Sequence, residues 1–541
     1  MLIRDAYNSH AIILFALALS PSLASHTQHP APQSPTATID TGLLTGKTTL
    51  LPSAPSPVNQ FLGIPFAQSP PERFSPPRAP HKSKAPLRAT EWKPACLQQF
   101  RYPLASSQVT RAVFNSSPPV ELEDCLYLNV YAPVGKAGGE GRAVMFWVYE
   151  GVAVWECCSF ASYEDVIVVT TKYRANVFGF PAAPELSLTE RNLGFLDQRF
   201  ALDWVQRNIH AFGGDPDKVT LFGESAAIDT LLTSFPKDSS PPFCAAILQS
   251  GRYSYRPTPF VSSIPAWNNL TASLGCPGTY SRNLTCVRAA NGTAIQNIIN
   301  VNSLAFNPTP GNVILVSNPA MRRLSGDIAR VPVMGGTNAQ EGRVFALGQT
   351  TLTAYLQGTF GSAPASLIPS IEAAYRTPTS NLTEYDIISQ ILTDLVFQCP
   401  TALWANATAS LDIPTWRYYF NVSFTNTQVL PNLGAYHASE IPLVFRTYDC
   451  ANTTTQQSAL AQSMQAAWAR FAKNPLAGPG WNSLGTGARG GVGLRFWSRV
   501  GWMGGVGCLG GCMRLLLGRG GDAGFVKGWR GMCEFSVLVF N

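Results

Sequence analysis

An α/β fold, with one large and mostly parallel central sheet covered by helices on both faces, is the class this sequence predicts, and three observations predict it. Short β-branched or aromatic runs alternate with longer helical patterns, the one-dimensional trace of strands joined by crossover helices. Three of the runs, "AVMFWVY" (143–149), "DVIVVTTKY" (165–173) and "KVTLF" (218–222), are near-continuously apolar, as strands buried on both faces must be. Between the last two, Leu196, Phe200, Trp204 and Ile209 of "LDQRFALDWVQRNI" recur at intervals of four or five and give one apolar helical face, which "FGGDPDK" ends with Gly and Pro. A chain of 541 residues, 45% of them apolar, can bury so large a core.

In chain order, Arg4 precedes the apolar run "AIILFALALS" (11–20), and small Ser22 and Ala24 stand where a signal peptidase reads them. Residues 1–24 read as a signal peptide cleaved after Ala24, because the run is shorter than the ~20 residues a membrane span requires. No later segment qualifies as a span, so the expected product is secreted and extracellular, with no integral membrane segment. "SHTQHPAPQSPTAT" (25–38) is rich in Pro, Ser and Thr and reads as a mobile leader, with order expected from Ile39 through a domain ending at residue 486. Within it, "CAAILQSG", "VPVMGG" and "WRYYFNVSF" are strand-like, and "SALAQSMQAAWARFAK" (458–473) is a helix closed by Asn474 and Pro475. Residues 487–541 differ in kind: 16 of these 55 residues are glycine, and "GWMGGVG" and "GRGGDAG" have neither helical nor strand period.

Secretion gives meaning to the N-x-[ST] triplets at Asn115, Asn269, Asn283, Asn291, Asn381, Asn406, Asn421 and Asn452, which are expected at the surface as glycan acceptors. It also favours disulfides among the twelve cysteines, none of which has zinc-site spacing. The pairs expected are local: Cys96 with Cys125, and Cys276 with Cys286, leaving eight unassigned. The formal charge of +7 suggests no polyanion partner, because the stretch from Gly487 carries +5 of it and the remainder only +2. Basic clusters with interleaved aromatics are absent from the body of the chain, which argues against nucleic acid.

The chemistry centres on "VTLFGESAAIDTLL" (219–232), where Ser225 stands between a β-branched strand and a helix. A serine hydroxyl is a poor nucleophile unless a tight turn projects it free of the sheet, where a base can reach it and backbone N–H groups can meet the developing oxyanion. Strand, turn and helix together favour that elbow over a serine that merely caps a helix. The chain has six histidines and only His437, in "LGAYHASEIP", follows Ser225, which makes it the candidate base. Glu341, in "GGTNAQEGRVFA" after the strand-like "VPVM", is the candidate acid, since such sheets place functional groups in loops at strand ends.

The stretches "QFLGIPFA", "EDCLYLNVYAP", "YRANVFGFP", "NLGFLDQRFALDWVQRNIHAFGGDPDKVTLFGESA", "GTNAQEG" and "YHASEIPLVF" resemble the type-B carboxylesterase and lipase family, which includes cholinesterases, and most closely its secreted fungal members. The resemblance covers roughly residues 39–486. It implies an α/β-hydrolase domain cleaving small-molecule or lipid esters through Ser225, Glu341 and His437, with no metal and no cofactor. It also implies the same two disulfides.

Three places depart from that pattern. Where the family carries three glycines after its first catalytic strand, this chain has "YEGVAVWECCSFASYEDV", so Glu150, Gly151 and Val152 occupy the triplet and the oxyanion donors would be the N–H groups of Gly151, Val152 and Ala226. In the elbow, Ala227 replaces a glycine and "IDTLL" follows as though about three residues were missing, which would turn the next helix face by about 60°. The glycine-rich tail replaces the family's last strand and helix. All three breaks are abrupt, as wrongly drawn exon boundaries would make them. The alternative to an esterase is a catalytically impaired hydrolase fold acting as a binding or adhesion module.

Overall fold

Apolar residues on both faces of β7 (Arg142–Val148), six of its seven residues and all of them buried, put that strand in the middle of a sheet. The computed structural model describes residues 34–100, 108, 111–112, 120–148, 158–225, 227–251, 261–278, 280–361, 366–376, 381–485 and 538–540. The chain divides into two units, Met1–Ser34, of which only Ser34 is described, and Pro35–Asn541, which holds every element below. Among the described residues, ten strands form the main sheet in the order β13 (Leu538–Phe540), β12 (Thr415–Phe420), β11 (Val333–Asn338), β10 (Ala245–Gln249), β9 (Gly214–Glu224), β7, β8 (Ile167–Thr171), β6 (Tyr127–Pro133), β4 (Val58–Pro65), β3 (Lys47–Thr49). Pairing is parallel from β13 through β8 and antiparallel beyond. A second sheet joins β1 (Thr36–Ile39), β2 (Gly42–Thr45) and β5 (Leu87–Arg88).

β7 pairs with β8 on one side and with β9 on the other. The chain therefore reverses its winding direction there, and in such sheets the crevice at the carboxyl ends of the strands is where ligands bind. The side chains of β7 alternate: Val144, Phe146 and Val148 pack with Ala201, Leu202, Trp204 and Val205 of the helix Leu193–Asn208. Ala143, Met145 and Trp147 face the opposite layer, with Phe160 of the helix Cys158–Glu164 and Trp468 of the helix Thr455–Lys473. Helices thus cover both faces, as the sequence predicts.

The local boundaries differ in instructive ways. β1 starts at Thr36, inside the segment read as leader, because Thr36–Ile39 pairs antiparallel with Gly42–Thr45 across a short turn. The helix Leu193–Asn208 buries Trp204 fully but leaves Leu196 and Phe200 half-buried; its true inner face is set by Ala201, Leu202 and Val205. "FGGDPDK" ends that helix through a 3-10 turn and Gly213 at φ +83°, and then Gly214–Lys218 enters β9 four residues before the predicted strand. A register shift between Arg142 and Val144 accommodates this lead-in. In the glycine-rich tail the strand Leu538–Phe540 adds to the sheet edge beside Tyr418–Phe420; the rest of residues 487–541 lies outside the described residues.

Both expected disulfides are present, Cys96–Cys125 closing a loop of 29 residues' separation and Cys276–Cys286 one of 10. In the chain-entropy picture each stabilises by about 3 kcal/mol. Among the glycan candidates, Asn269, Asn291, Asn381, Asn421 and Asn452 are exposed, Asn406 is half-buried, and Asn115 lies outside the described residues. Asn283 corrects the expectation: it is 5% exposed inside the helix Tyr280–Ala289, where a glycan has no room. No helix among the described residues is long and apolar enough to cross a membrane.

The helix Ala227–Ser234, which follows the elbow, is pinned from behind by a fully buried ion pair. Arg323 Nη2 donates to Asp229 Oδ1 at 2.5 Å, and Nη1 donates to Thr408 Oγ1 at 3.0 Å. Breaking one side of such a pair strands a charge in the core, whereas replacing both sides does not. Asp229→Leu or Arg323→Met alone should cost about 3–5 kcal/mol by denaturant unfolding, and the double variant clearly less than the sum of the two.

Candidate active site

The parallel register of β9 and β10 ends with Glu224 opposite Gln249, so the residues just after these strands meet at one edge. Ser225 follows with φ +64°, a left-handed conformation that costs a non-glycine residue roughly 1–2 kcal/mol. Its N–H donates to Gln249 O at 2.8 Å, which holds the turn against the sheet. Two glycines make the turn sterically possible. A Cβ on Gly251 would lie 1.7 Å from Ser225 O, and one on Gly223 would lie 2.3 Å from Val148 O. The helix Ala227–Ser234 leaves the turn at once. Gly151, Val152 and Ala226 lie outside the described residues.

Glu341 opens a 3-10 turn just beyond β11 and is fully buried. Its Oε1 accepts from Ser250 Oγ at 2.5 Å and from Asn338 N at 2.8 Å, and its Oε2 meets His437 Nδ1 at 2.7 Å. His437 stands in the loop between β12 and the short helix Ile441–Val444, 3% exposed, followed by Ala438 at φ +71°. The rings of Phe345 and Phe397 flank it, with centroids at 5.1 and 4.7 Å. Phe397 belongs to a π-helical turn, Thr393–Gln398, a distortion that recurs at functional sites because it re-aims side chains. The structure thus brings Glu341 and His437 together and sets Ser225 on a strained turn at the neighbouring strand end.

What the sequence reading missed is the other side of the imidazole. Glu224 Oε1 lies 2.7 Å from His437 Nε2, and both groups are buried. Despite the short distance, Oε1 is not aligned for a hydrogen bond from the ring. Ser225 Oγ has no hydrogen-bond partner among the described residues. A third carboxylate, Glu440, is fully buried nearby, accepting from Gln249 Nε2 at 3.1 Å and Asn338 Nδ2 at 2.5 Å; Trp468 Nε1 in turn holds Gln249 Oε1 at 3.0 Å. The signal was available in both cases: Glu224 interrupts an apolar strand and Glu440 precedes an apolar helix, and a carboxylate in such a place needs partners.

These charges govern protonation. Burial by itself pulls the His437 imidazole down, but the carboxylates of Glu224 and Glu341 overcome it and push the group up to about 10. Burial, with Glu224 and Glu341 adding to it, lifts Glu440 to about 7. The site therefore combines a strained hydroxyl, an imidazole anchored at Nδ1, and a carboxylate that stabilises the imidazolium, which is equipment for proton abstraction and acyl transfer. No group of three His, Cys, Asp or Glu side chains among the described residues could hold a metal ion.

The model of the carboxylesterase family matches residues 33–486. Secreted lipase 1 of Botryotinia fuckeliana is 29% identical over 73% of this chain and 79% of its own. The human cocaine esterase is 31% identical over 82% of this chain and 84% of its own, and the chlorogenic acid esterase of Aspergillus niger 30% identical over 78% and 80%.

A histidine raised in the folded state lends stability that is fully present below its unfolded value and is lost as pH rises through the folded one. Thermal stability should therefore fall as pH is raised from about 6.5 towards 10, and the fall should flatten in His437→Asn, read by melting temperature against pH.

Proposed function

The chain belongs to the carboxylesterase family, and on that premise we propose that it is a secreted serine hydrolase cleaving small-molecule or lipid carboxylic esters through an acyl-enzyme on Ser225. Ser225 Oγ attacks the ester carbonyl as His437 takes its proton. Glu341 orients the ring and stabilises the imidazolium, and His437 then returns the proton to the leaving alcohol. Water attacks the acyl-enzyme with His437 again as base, which regenerates the serine. The observation that carries this reading is the buried 2.7 Å contact of Glu341 with His437 Nδ1 beside a serine held at φ +64°. A capping serine has no use for that strain.

Gly151, Val152 and Ala226 are the proposed oxyanion donors, through their backbone N–H groups. Val152 is β-branched where the turn favours glycine, and Glu150 brings a negative charge towards a developing one. Loss of one donor's geometry lowers turnover by about 10²–10³-fold. Residues 1–24 are the proposed signal peptide, and Asn115, Asn269, Asn291, Asn381, Asn406, Asn421 and Asn452 the proposed glycan acceptors. The name of the Botryotinia relative, a secreted lipase, supports export. The second reading is an impaired binding or adhesion module, and the contact of His437 Nε2 with Glu224 rather than with Ser225 favours it.

Hydrolysis of p-nitrophenyl butyrate by the purified chain separates the two. The esterase reading expects turnover that drops at least about 10³-fold in Ser225→Ala and rises about 10-fold or more in Val152→Gly. A folded protein with no serine-dependent turnover, before and after Val152→Gly, would overturn the esterase reading and leave the binding module or wrongly drawn exon boundaries.

A further inference from the structure

His437 has two ring nitrogens, and each meets a different carboxylate at 2.7 Å: Nδ1 meets Glu341 and Nε2 meets Glu224. The two contacts are unequal in kind. The Glu341 contact is an aligned hydrogen bond, and its carboxylate is fixed further by Ser250 Oγ and Asn338 N. The Glu224 contact is equally short but unaligned. Yet Nε2 is the nitrogen that must receive a proton from Ser225 Oγ if His437 is its base. In this arrangement the serine and Glu224 compete for one nitrogen.

We propose that Glu224 is a positioning residue that acts as a proton-sensitive latch: it holds the Nε2 face of protonated His437 away from Ser225 and releases it when that proton leaves. This rests on the esterase reading above for the role of Ser225. The physical basis is a change of sign. With a proton on Nε2, imidazolium and carboxylate attract across 2.7 Å. Once the proton departs to solvent, Nε2 presents a lone pair to a carboxylate oxygen, and two acceptors at that distance repel. The Nδ1–H to Glu341 bond survives deprotonation, so the ring keeps its anchor while the unaligned Glu224 contact gives way. Nε2 is then free to accept from Ser225 Oγ.

Among the described residues, charged and aromatic groups face the ring from several elements. Glu224 comes from the end of β9 and Glu341 from the turn after β11, and Phe345 and Phe397 contribute uncharged rings; Glu440, from the loop of His437 itself, couples to both carboxylates. Among the described residues no lysine or arginine forms an ion pair with Glu224, Glu341 or Glu440. Burial, with Glu224 and Glu341 adding to it, draws Glu440 towards its neutral form, and Glu224 is the carboxylate that lies against Nε2. The latch makes the acid limb of catalysis a property of Glu224, since the imidazolium is stabilised until pH is high enough to strip it.

The test measures protonation and activity separately. The titration of His437 is followed by the low-field proton resonance of its Nδ1–H, and kcat/KM for p-nitrophenyl butyrate is measured against pH, in the full chain and in Glu224→Gln and Glu224→Met. Removal of a charge at this range shifts a neighbour by about 1–3 pH units. The expected result is a His437 midpoint lower by that amount in both variants, with the acid limb of kcat/KM moving down alongside in Glu224→Met, which leaves Nε2 neither donor nor acceptor. An unmoved midpoint in both variants, or an unmoved acid limb in Glu224→Met despite a moved midpoint, would overturn the latch. Undiminished turnover in Ser225→Ala would instead overturn the esterase reading, while the resonance still reports on Glu224.

Discussion

One buried hydrogen bond organises the edge where the strand ends of this molecule converge: His437 Nδ1 to Glu341 Oε2, 2.7 Å long and shut off from solvent. A carboxylate in that position would be costly alone, and the surrounding chain is arranged to satisfy it. Ser250, the residue after β10, donates its hydroxyl, and Asn338, the last residue of β11, donates its N–H. Because Asn338 also binds Glu440, and Glu440 binds Gln249 beneath Trp468, the network runs from the sheet into the helix Thr455–Lys473. Moving any one of these strand ends would leave a buried polar group unpaired.

The sheet makes this convergence possible. Its parallel register brings the carboxyl ends of β9, β10 and β11 to one edge, and the reversal of winding at β7 opens the crevice there. The strain at Ser225 is tolerated because the core overdetermines it. Gly223 and Gly251 clear the space, and the Asp229–Arg323 pair fixes the helix that follows. Ala227–Ser234 forms a helix with Ile228, Leu231 and Leu232 buried in the core.

Much of the fold was legible because it rests on local regularities. Apolar runs marked β7, β8, β9, β10, β11 and β12, and the helix over 458–473 was read with its stop at Asn474; the helix itself begins three residues earlier, at Thr455. Boundaries were less legible where pairing rather than composition decides them, as at Thr36 and Gly214, each of which gains its strand from a partner. Asn283 fits a glycan acceptor by its triplet, yet it lies on the inner side of its helix. A three-residue motif carries no information about which way a helix turns.

The sequence by itself determined the class of the fold, the two local disulfides and the chain order of a serine, a glutamate and a histidine, because each of these is written in periodicity, spacing or a short motif. Only the tertiary structure decided what surrounds the histidine. Glu341 and Glu224 reach it from strands far apart in the chain, and Phe345 and Phe397 flank its ring. The imidazole's charge is set by distances of a few ångströms in a medium without water, and no pattern along one dimension encodes those distances.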